Sequence, residues 1–328
     1  MHHLKFEVNP AIFQPMSDRF GAGYKDEIPE AQCFELTAAL KDVEGIGYCC
    51  PGQVTRENAA QYAEWIHKCG KQPGTIILNN WSKEFGWGSF TNKDEAMRIR
   101  SMEFAKECKD AAAVMGMDTI TIWLANDGVD YVFQSDYFKA WDYMVSAFAE
   151  ICDYRPEIRV AIEYKIKEPR IFQFISNCGD ALDLISEVGK DNFGVALDLG
   201  HSLMAGEKMA YSAARILKKG RLFRTHWGDN FHHWDDDVII GAANPLEFIE
   251  VVYWLRKGNW DGWCDLDIYP FKDNAKTAIE ESVANVRAFE SLIDYIGMSK
   301  MDELIEKDEP GCMVRTIREA LFDFRSER

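Results

Sequence analysis

No stretch of this 328-residue chain is apolar for long enough to cross a bilayer, and Met1 is not followed by the basic-then-apolar pattern of an export signal. A cytoplasmic location is the expectation. Positive charge is also scarce: 37 Lys and Arg stand against 54 Asp and Glu, a formal net charge of -17, and no local basic cluster offsets it. Such a chain repels phosphate backbones and anionic membrane surfaces, so nucleic acid and membrane are set aside as partners. The cysteines make no framework. Cys33, Cys49, Cys50, Cys69, Cys108, Cys152, Cys178, Cys264 and Cys312 are odd in number and irregularly spaced, so they read as reduced thiols, and the adjacent Cys49-Cys50 lacks the spacing of a metal or redox motif. Low-complexity segments and sequence repeats are missing too.

What the chain does have is alternation. Short apolar runs at 4–8, 45–49, 75–79, 119–123, 159–163, 193–198, 222–226 and 262–267 read as strands. Between and after them, amphipathic stretches at about 30–41, 57–69, 93–115, 135–153, 169–188, 205–219, 245–257 and 274–296 read as helices. Thr91-Asn92-Lys93-Asp94-Glu95 and Asn244-Pro245 carry helix-start signals. Eight strands alternating with eight helices predict an α/β fold, a (β/α)8 TIM barrel with a parallel closed sheet and its function on the strand-to-helix loops. The expected barrel domain covers 1–297. A helical tail, 298–328, is expected to pack on the barrel or on a neighbouring subunit.

Four of the predicted strands end in ionisable residues: Glu163, Asp198, His226 and Asp267. Parallel strands closing into a barrel bring their C-terminal ends to one rim, so three carboxylates and an imidazole face a common centre. That donor set is expected to hold a divalent metal, Mn first, with Mg, Co or Zn as alternatives. A second set lies nearby: His201 follows Asp198 by three residues, and Asp235-Asp236-Asp237 follows His226 after an aromatic loop. Together they could hold a second cation, against the rival reading of a solvated acidic turn.

Aromatic residues crowd the expected rim loops: Trp81, Phe85, Trp87 and Phe90; Trp123 and Tyr131; Trp227, Phe231 and Trp234. Sugars account for them, because an aromatic face packs on their C–H surfaces while carboxylates take the hydroxyls; Trp87, Trp123, Tyr131 and Trp227 are the expected substrate-binding set. A subunit interface is the alternative. The loops after the last two strands are aromatic and acidic rather than glycine-rich, which predicts a sugar or glycoside without phosphate.

Here a resemblance emerges. Ile162-Glu163-Tyr164-Lys165 with Pro169, Leu197-Asp198-Leu199-Gly200-His201 and the segment Asp235 to Ala242 resemble rhamnose isomerases, within the xylose isomerase-like barrel superfamily that includes sugar phosphate isomerase-epimerase-like proteins. Gly88 to Asn92, and Trp123 to Gly128 with Tyr131, resemble that family as well, and the likeness runs over roughly residues 75–290. It implies a structural metal on Glu163, Asp198, His226 and Asp267, and a catalytic metal on His201, Asp235 and Asp237. Lys165, otherwise a plain charge partner of the acidic cluster, would hydrogen-bond the substrate oxygen, so Lys165, His201 and Asp235 form the expected catalytic group. The sequence departs from the family by one extra residue between His226 and the acidic triplet, and by shorter termini.

The leading expectation is a metal-dependent isomerase or epimerase of a free sugar, its hydrogen moving as hydride or as proton. The alternative resembles the large subunit of C-glycoside deglycosidases, lyases that eliminate an aglycone from a 3-oxo-glycoside and need a small partner subunit. A metal-dependent endonuclease is disfavoured by the charge, and a non-catalytic sugar-binding barrel would hold no metal. An oligomer is expected.

Overall fold

The computed structural model describes residues 3–17, 21–168 and 170–326. Eight strands close a parallel barrel: β1 (Lys5–Val8), β2 (Gly45–Cys50), β3 (Gln72–Leu78), β4 (Thr119–Trp123), β5 (Arg159–Glu163), β6 (Phe193–Asp198), β7 (Leu222–His226) and β8 (Trp263–Asp265). They follow sequence order around the cylinder, and β1 pairs with both β2 and β8. The predicted closed barrel is the observed fold.

Around it run α1 (Glu30–Ala38), α2 (Ala59–Lys68), α3 (Glu95–Met115), α4 (Tyr137–Asp153), α5 (Cys178–Val188), α6 (Leu199–Met204), α7 (Met209–Lys218), α8 (Pro245–Lys257) and α9 (Ala275–Ile296). Side-chain caps start several of them: Asp94, Asp136, Asn177, Asp198 and Asn274 each accept a first-turn backbone N–H. Two more helices, α10 (Met298–Glu306) and α11 (Pro310–Ser326), pack on α9. No helix among the described residues is long and apolar enough to cross a membrane.

Three expectations need correction. The helix expected over 169–188 begins at Cys178, and Phe172–Gln173 instead pairs antiparallel with Gly128–Val129. Its apolar spacing imitated a helix; Pro169 itself lies outside the described residues. The segment expected as one helix over 205–219 is preceded by the separate turn-and-a-half α6, which Asp198 caps. Strand β8 stops at Asp265, so Asp267 sits on a loop.

The inside of the barrel is charged. Glu7 on β1 and Arg224 on β7 are buried with 3.6 Å between Nη1 and Oε1, and Arg224 donates to the Gly74 carbonyl and to Asp118. Glycines on β2 and β3 make the room: a Cβ on Gly45 would lie 2.9 Å from both the Glu7 Cβ and the Trp263 ring. Gly45→Ala is therefore expected to lower stability by about 1–3 kcal/mol, read as a lower urea midpoint at unchanged m-value.

Candidate metal centre

The parallel register aligns the strand ends that matter. Trp123 pairs with Glu163, Glu163 with Ala196, Asp198 with His226, and His226 with Asp265. One ligand atom from each of Glu163, Asp198, His226 and Asp267 lies within 4.8 Å of all the others. Opposite ligands of one ion stand about 4.2–4.8 Å apart at bonds of about 2.1–2.4 Å, so a single cation can join the four.

His226 provides the test of fit. Its ring is fully buried, Nδ1 lies 3.2 Å from Glu163 Oε2 and 3.6 Å from Asp267 Oδ2, and neither ring nitrogen makes a hydrogen bond among the described residues. Burying polar nitrogens without partners costs about 1–3 kcal/mol, a cost that a cation among these acids would remove. Burial alone would push the imidazole toward neutrality, but Glu163 and Asp267 outweigh it and hold its pKa well above the ordinary range. In turn, burial raises Glu163 while His226, His201 and Lys165 more than offset it and bring it below its usual value.

A second group consists of Asp198, His201 and Asp235, again within 4.8 Å. His201 Nδ1 lies 3.0 Å from the Tyr164 carbonyl, which makes it the donor and leaves Nε2, 3.0 Å from Asp235 Oδ2, as the nitrogen facing the centre. Burial would lower the His201 pKa, yet Asp198 and Asp235 raise it to about 9. Asp198 belongs to both groups. Its Oδ1 accepts the His201 backbone N–H at 2.6 Å, and burial lifts its pKa to about 7 against the opposing pull of His201.

Asp237, expected beside His201 and Asp235, is not in that group; Asp198 takes the third place. Asp237 has a left-handed φ of 47°, and its Oδ1 lies 2.9 Å from where a Gly228 Cβ would stand, beside the Asp267 carbonyl. Burial, with Asp235, Asp267 and Asp198 around it, pushes its carboxyl well up. Lys165 sits 2.6 Å from both Asp235 Oδ2 and Glu168 Oε2, with its ammonium 5.0 Å from the centre of the Trp123 ring. Burial would discharge it; the two carboxylates keep it charged.

The expected aromatic walls separate into three kinds. Trp123 stands at the mouth, paired with Trp81 at 5.8 Å between centroids. Trp87 is 87% exposed, and Tyr131 is also largely in solvent, so both lie on the outer rim. Trp227 is a core residue, fully buried against Phe6 and Phe248, with its N–H given to Thr225 Oγ1. Trp227→Ala is expected to cost about 3–5 kcal/mol in urea unfolding while leaving metal stoichiometry intact. A loss of metal in protein still folded would return Trp227 to the site.

Two supports were not foreseen. Glu207 accepts from Tyr164 Oη (2.6 Å), Ser202 Oγ (3.0 Å), Ser212 Oγ (3.1 Å) and the Cys178 N–H (2.9 Å), fixing the residue between Glu163 and Lys165 and the neighbour of His201. Asp127, fully buried, accepts from the backbone and hydroxyls of Ser89 and Thr91, tying the loop after β3 to the loop after β4. Asp127 and its partners lie in the segments 88–92 and 123–128 that carry the resemblance, but the contact between them, like those of Glu207, is set by tertiary structure.

Similar proteins agree with this geometry at the level of the fold. The xylose isomerase from Thermus thermophilus is 24% identical over 230 residues, 68% of this chain and 59% of that enzyme. The one from Thermus caldophilus is 26% identical over 183 residues, 53% of this chain and 47% of its own. This chain thus spans about half the length of the curated relatives it matches. Among solved structures, an L-ribulose 3-epimerase superposes with a TM-score of 0.66 at 14% identity, covering 94% of this chain and 99% of that one. A D-allulose 3-epimerase from Methylomonas sp. gives 0.66 at 14% identity, over 88% and 99%. The profile of one family, described as xylose isomerase-like TIM barrel, matches residues 43–289, and to that family this chain belongs.

Proposed function

We propose that the protein interconverts free sugars, as an aldose–ketose isomerase or an epimerase acting beside the carbonyl. In this reading one divalent cation is held by Glu163, Asp198, His226 and Asp267 and a second by Asp198, His201 and Asp235, with Mn as the leading candidate. The observation that carries it is the buried His226 ring, without hydrogen-bond partners and enclosed by acids at the strand ends. The sugar isomerase and epimerases among the similar proteins support the substrate class.

A bound divalent ion supplies Lewis acidity toward sugar oxygens on which negative charge develops. The chain's own residues do the rest. Lys165, kept charged by Asp235 and Glu168, is a fixed donor for a substrate oxygen at the mouth. Trp123 and Trp81 offer faces for C–H packing beside it. Tyr164, clamped through its phenol by Glu207, orients His201 through its carbonyl and keeps Nε2 directed at Asp235. If hydrogen moves as a proton, Asp235 and Glu168 are the carboxylates nearest the Lys165 donor. The aromatic and acidic loops after β7 and β8 favour a sugar without phosphate.

The test is carbon NMR of Mn-loaded protein against a panel of free aldoses and ketoses, with 3-oxo-C-glycosides in parallel. Isomer or epimer exchange that vanishes with chelator and returns with Mn is the expected outcome; silence across the free sugars would sink the reading. Release of an aglycone would instead favour the lyase with a small partner subunit, to which the Trp81–Trp123 pair lends a stacking surface.

A further inference from the structure

Asn79 Oδ1, Trp123 Nε1, Gln173 Oε1 and Gln173 Nε2 are buried and, among the described residues, make no hydrogen bond. The three side chains belong to one stretch of the rim beside the metal centre. Trp123 pairs with Glu163, one strand along. Asn79, directly after β3, continues the register of Ile77 with Thr121, so it stands beside Trp123 on the same inward face. Gln173 comes from the ribbon that pairs with Gly128–Val129. Its N–H donates to the Ile166 carbonyl at 3.2 Å, and the Lys165 N–H donates to the Ile175 carbonyl at 3.3 Å, so Gln173 lies against the segment that carries Lys165. Its neighbour Phe172 is turned to solvent; strand alternation turns Gln173 the other way, and it is 5% exposed.

Other amides on this rim are put to use within the fold. Asn80 Nδ2 donates to Ser89 Oγ, Asn92 Nδ2 donates to the Gly88 carbonyl, and Asn9 and Gln53 bond each other. An amide or indole N–H buried without a partner destabilises the fold, and an apolar side chain of the same shape would not. The unpaired atoms also alternate in kind: Asn79 offers an acceptor, Trp123 a donor, and Gln173 one of each. A hydroxyl both accepts and donates, so it satisfies such neighbours together. A carboxylate or phosphate would set its oxygens against Asn79 Oδ1, and an ammonium would set its N–H groups against Trp123 Nε1. From Glu163 to Asn79 the row covers two strand spacings, about 10 Å.

We infer that Asn79, Trp123 and Gln173 form a subsite for sugar hydroxyls remote from the carbonyl, and that Asn79 and Gln173 decide which sugar is accepted. The inference rests on the sugar reading above and narrows it to an uncharged polyhydroxyl chain of pentose or hexose length. Trp123 then serves in two ways, its face for C–H packing and its N–H for a hydroxyl. A site built to hydrogen-bond a hydroxyl discriminates strongly against a ligand without it, because the site's own polar atoms are left unpaired.

Alditols test it without turnover, because they carry the hydroxyl chain and have no carbonyl to rearrange. Binding of ribitol, xylitol, sorbitol and mannitol to the Mn-loaded full chain is measured by titration calorimetry, with glycerol as the short control. At least one alditol is expected to bind about tenfold more tightly than glycerol. Asn79→Leu, Gln173→Leu and Trp123→Phe are each expected to weaken that alditol about tenfold or more, the effect of one lost hydrogen bond, with glycerol binding and Mn stoichiometry unchanged. Gln173→Leu is also expected to raise the unfolding temperature of the ligand-free protein, because it removes two unpaired atoms; an amide kept for structure would lower it. If Gln173→Leu does not fold, Trp123→Phe, which keeps an aromatic face and deletes the N–H, carries the same test. The inference is overturned if no alditol outbinds glycerol, or if the variants bind alditol as the wild type does. Alditol binding by a protein that exchanges no free sugar would keep the subsite and sink the isomerase reading; sugar exchange in variants with undiminished alditol binding would do the reverse.

Discussion

Asparagine in place of Asp198 is expected to remove both proposed cations at once and to lower turnover by about a thousandfold or more, the loss of several kcal/mol of charge stabilisation. Asp198 is the one residue common to the two ligand groups. The substitution is well posed because asparagine is as good a helix cap as aspartate, so the bond from the His201 N–H survives while the ligating charge does not. The contrast is His201→Asn, which touches only the second group. Metal analysis of the purified variants separates them: no bound ion for Asp198→Asn, one for His201→Asn. An Asp198→Asn protein that keeps either ion would show the shared-ligand arrangement to be wrong. The metal-free variant is also expected to be more stable than metal-free wild type at pH 8, since it lacks a carboxyl whose charged form burial disfavours.

Manganese should raise the unfolding temperature more at pH 8 than at pH 5.5. Without metal, Asp198 titrates at about 7 in the folded protein against a usual 3.8, so stability is lost as pH climbs between those values. His201, raised to about 9 from 6.5, adds stability that is complete below 6.5 and gone above 9. Glu163 and Asp235 are shifted the other way, but their contribution disappears only below their ordinary acid range. Between pH 5 and 9 the empty site therefore weakens as pH rises. Ligation needs the same groups deprotonated, so affinity grows across that window. At a thousandfold excess over the dissociation constant the gain is about 4 kcal/mol, roughly 5–10 °C for a chain of this size. Calorimetric scans at the two pH values check it; an equal or larger gain at pH 5.5 would contradict the protonation scheme.

The sequence made the barrel legible because each strand is a short apolar run closed by a turn, and β4, β5, β6 and β7 have the predicted limits. Glu163, Asp198 and His226 stood out because a charge ending such a run must lie at the rim. Asp267 was singled out for a weaker reason: the run was read two residues too long, and the residue that lies near the other three sits on a loop. What stayed hidden depends on the third dimension. Arg224 and Glu7 look like ordinary strand residues until closure of the sheet sets them 3.6 Å apart. Trp227 looked like a rim aromatic because it follows His226, but strand geometry turns adjacent side chains to opposite faces, and it faces the helices. Asp237 carried the resemblance's ligand role on sequence position alone, and in the structure Asp198 is the third residue that groups with His201 and Asp235.

Because β8 ends at Asp265, Asp267 alone of the four rim ligands hangs from irregular backbone, and its side chain is 30% exposed where those of Glu163 and His226 are 6% and 0%. If the four hold an ion as proposed, three donors form a fixed socket and the fourth is a latch, and the exchange rate of the metal is expected to respond to changes in the Asp267 loop before its coordination sphere does.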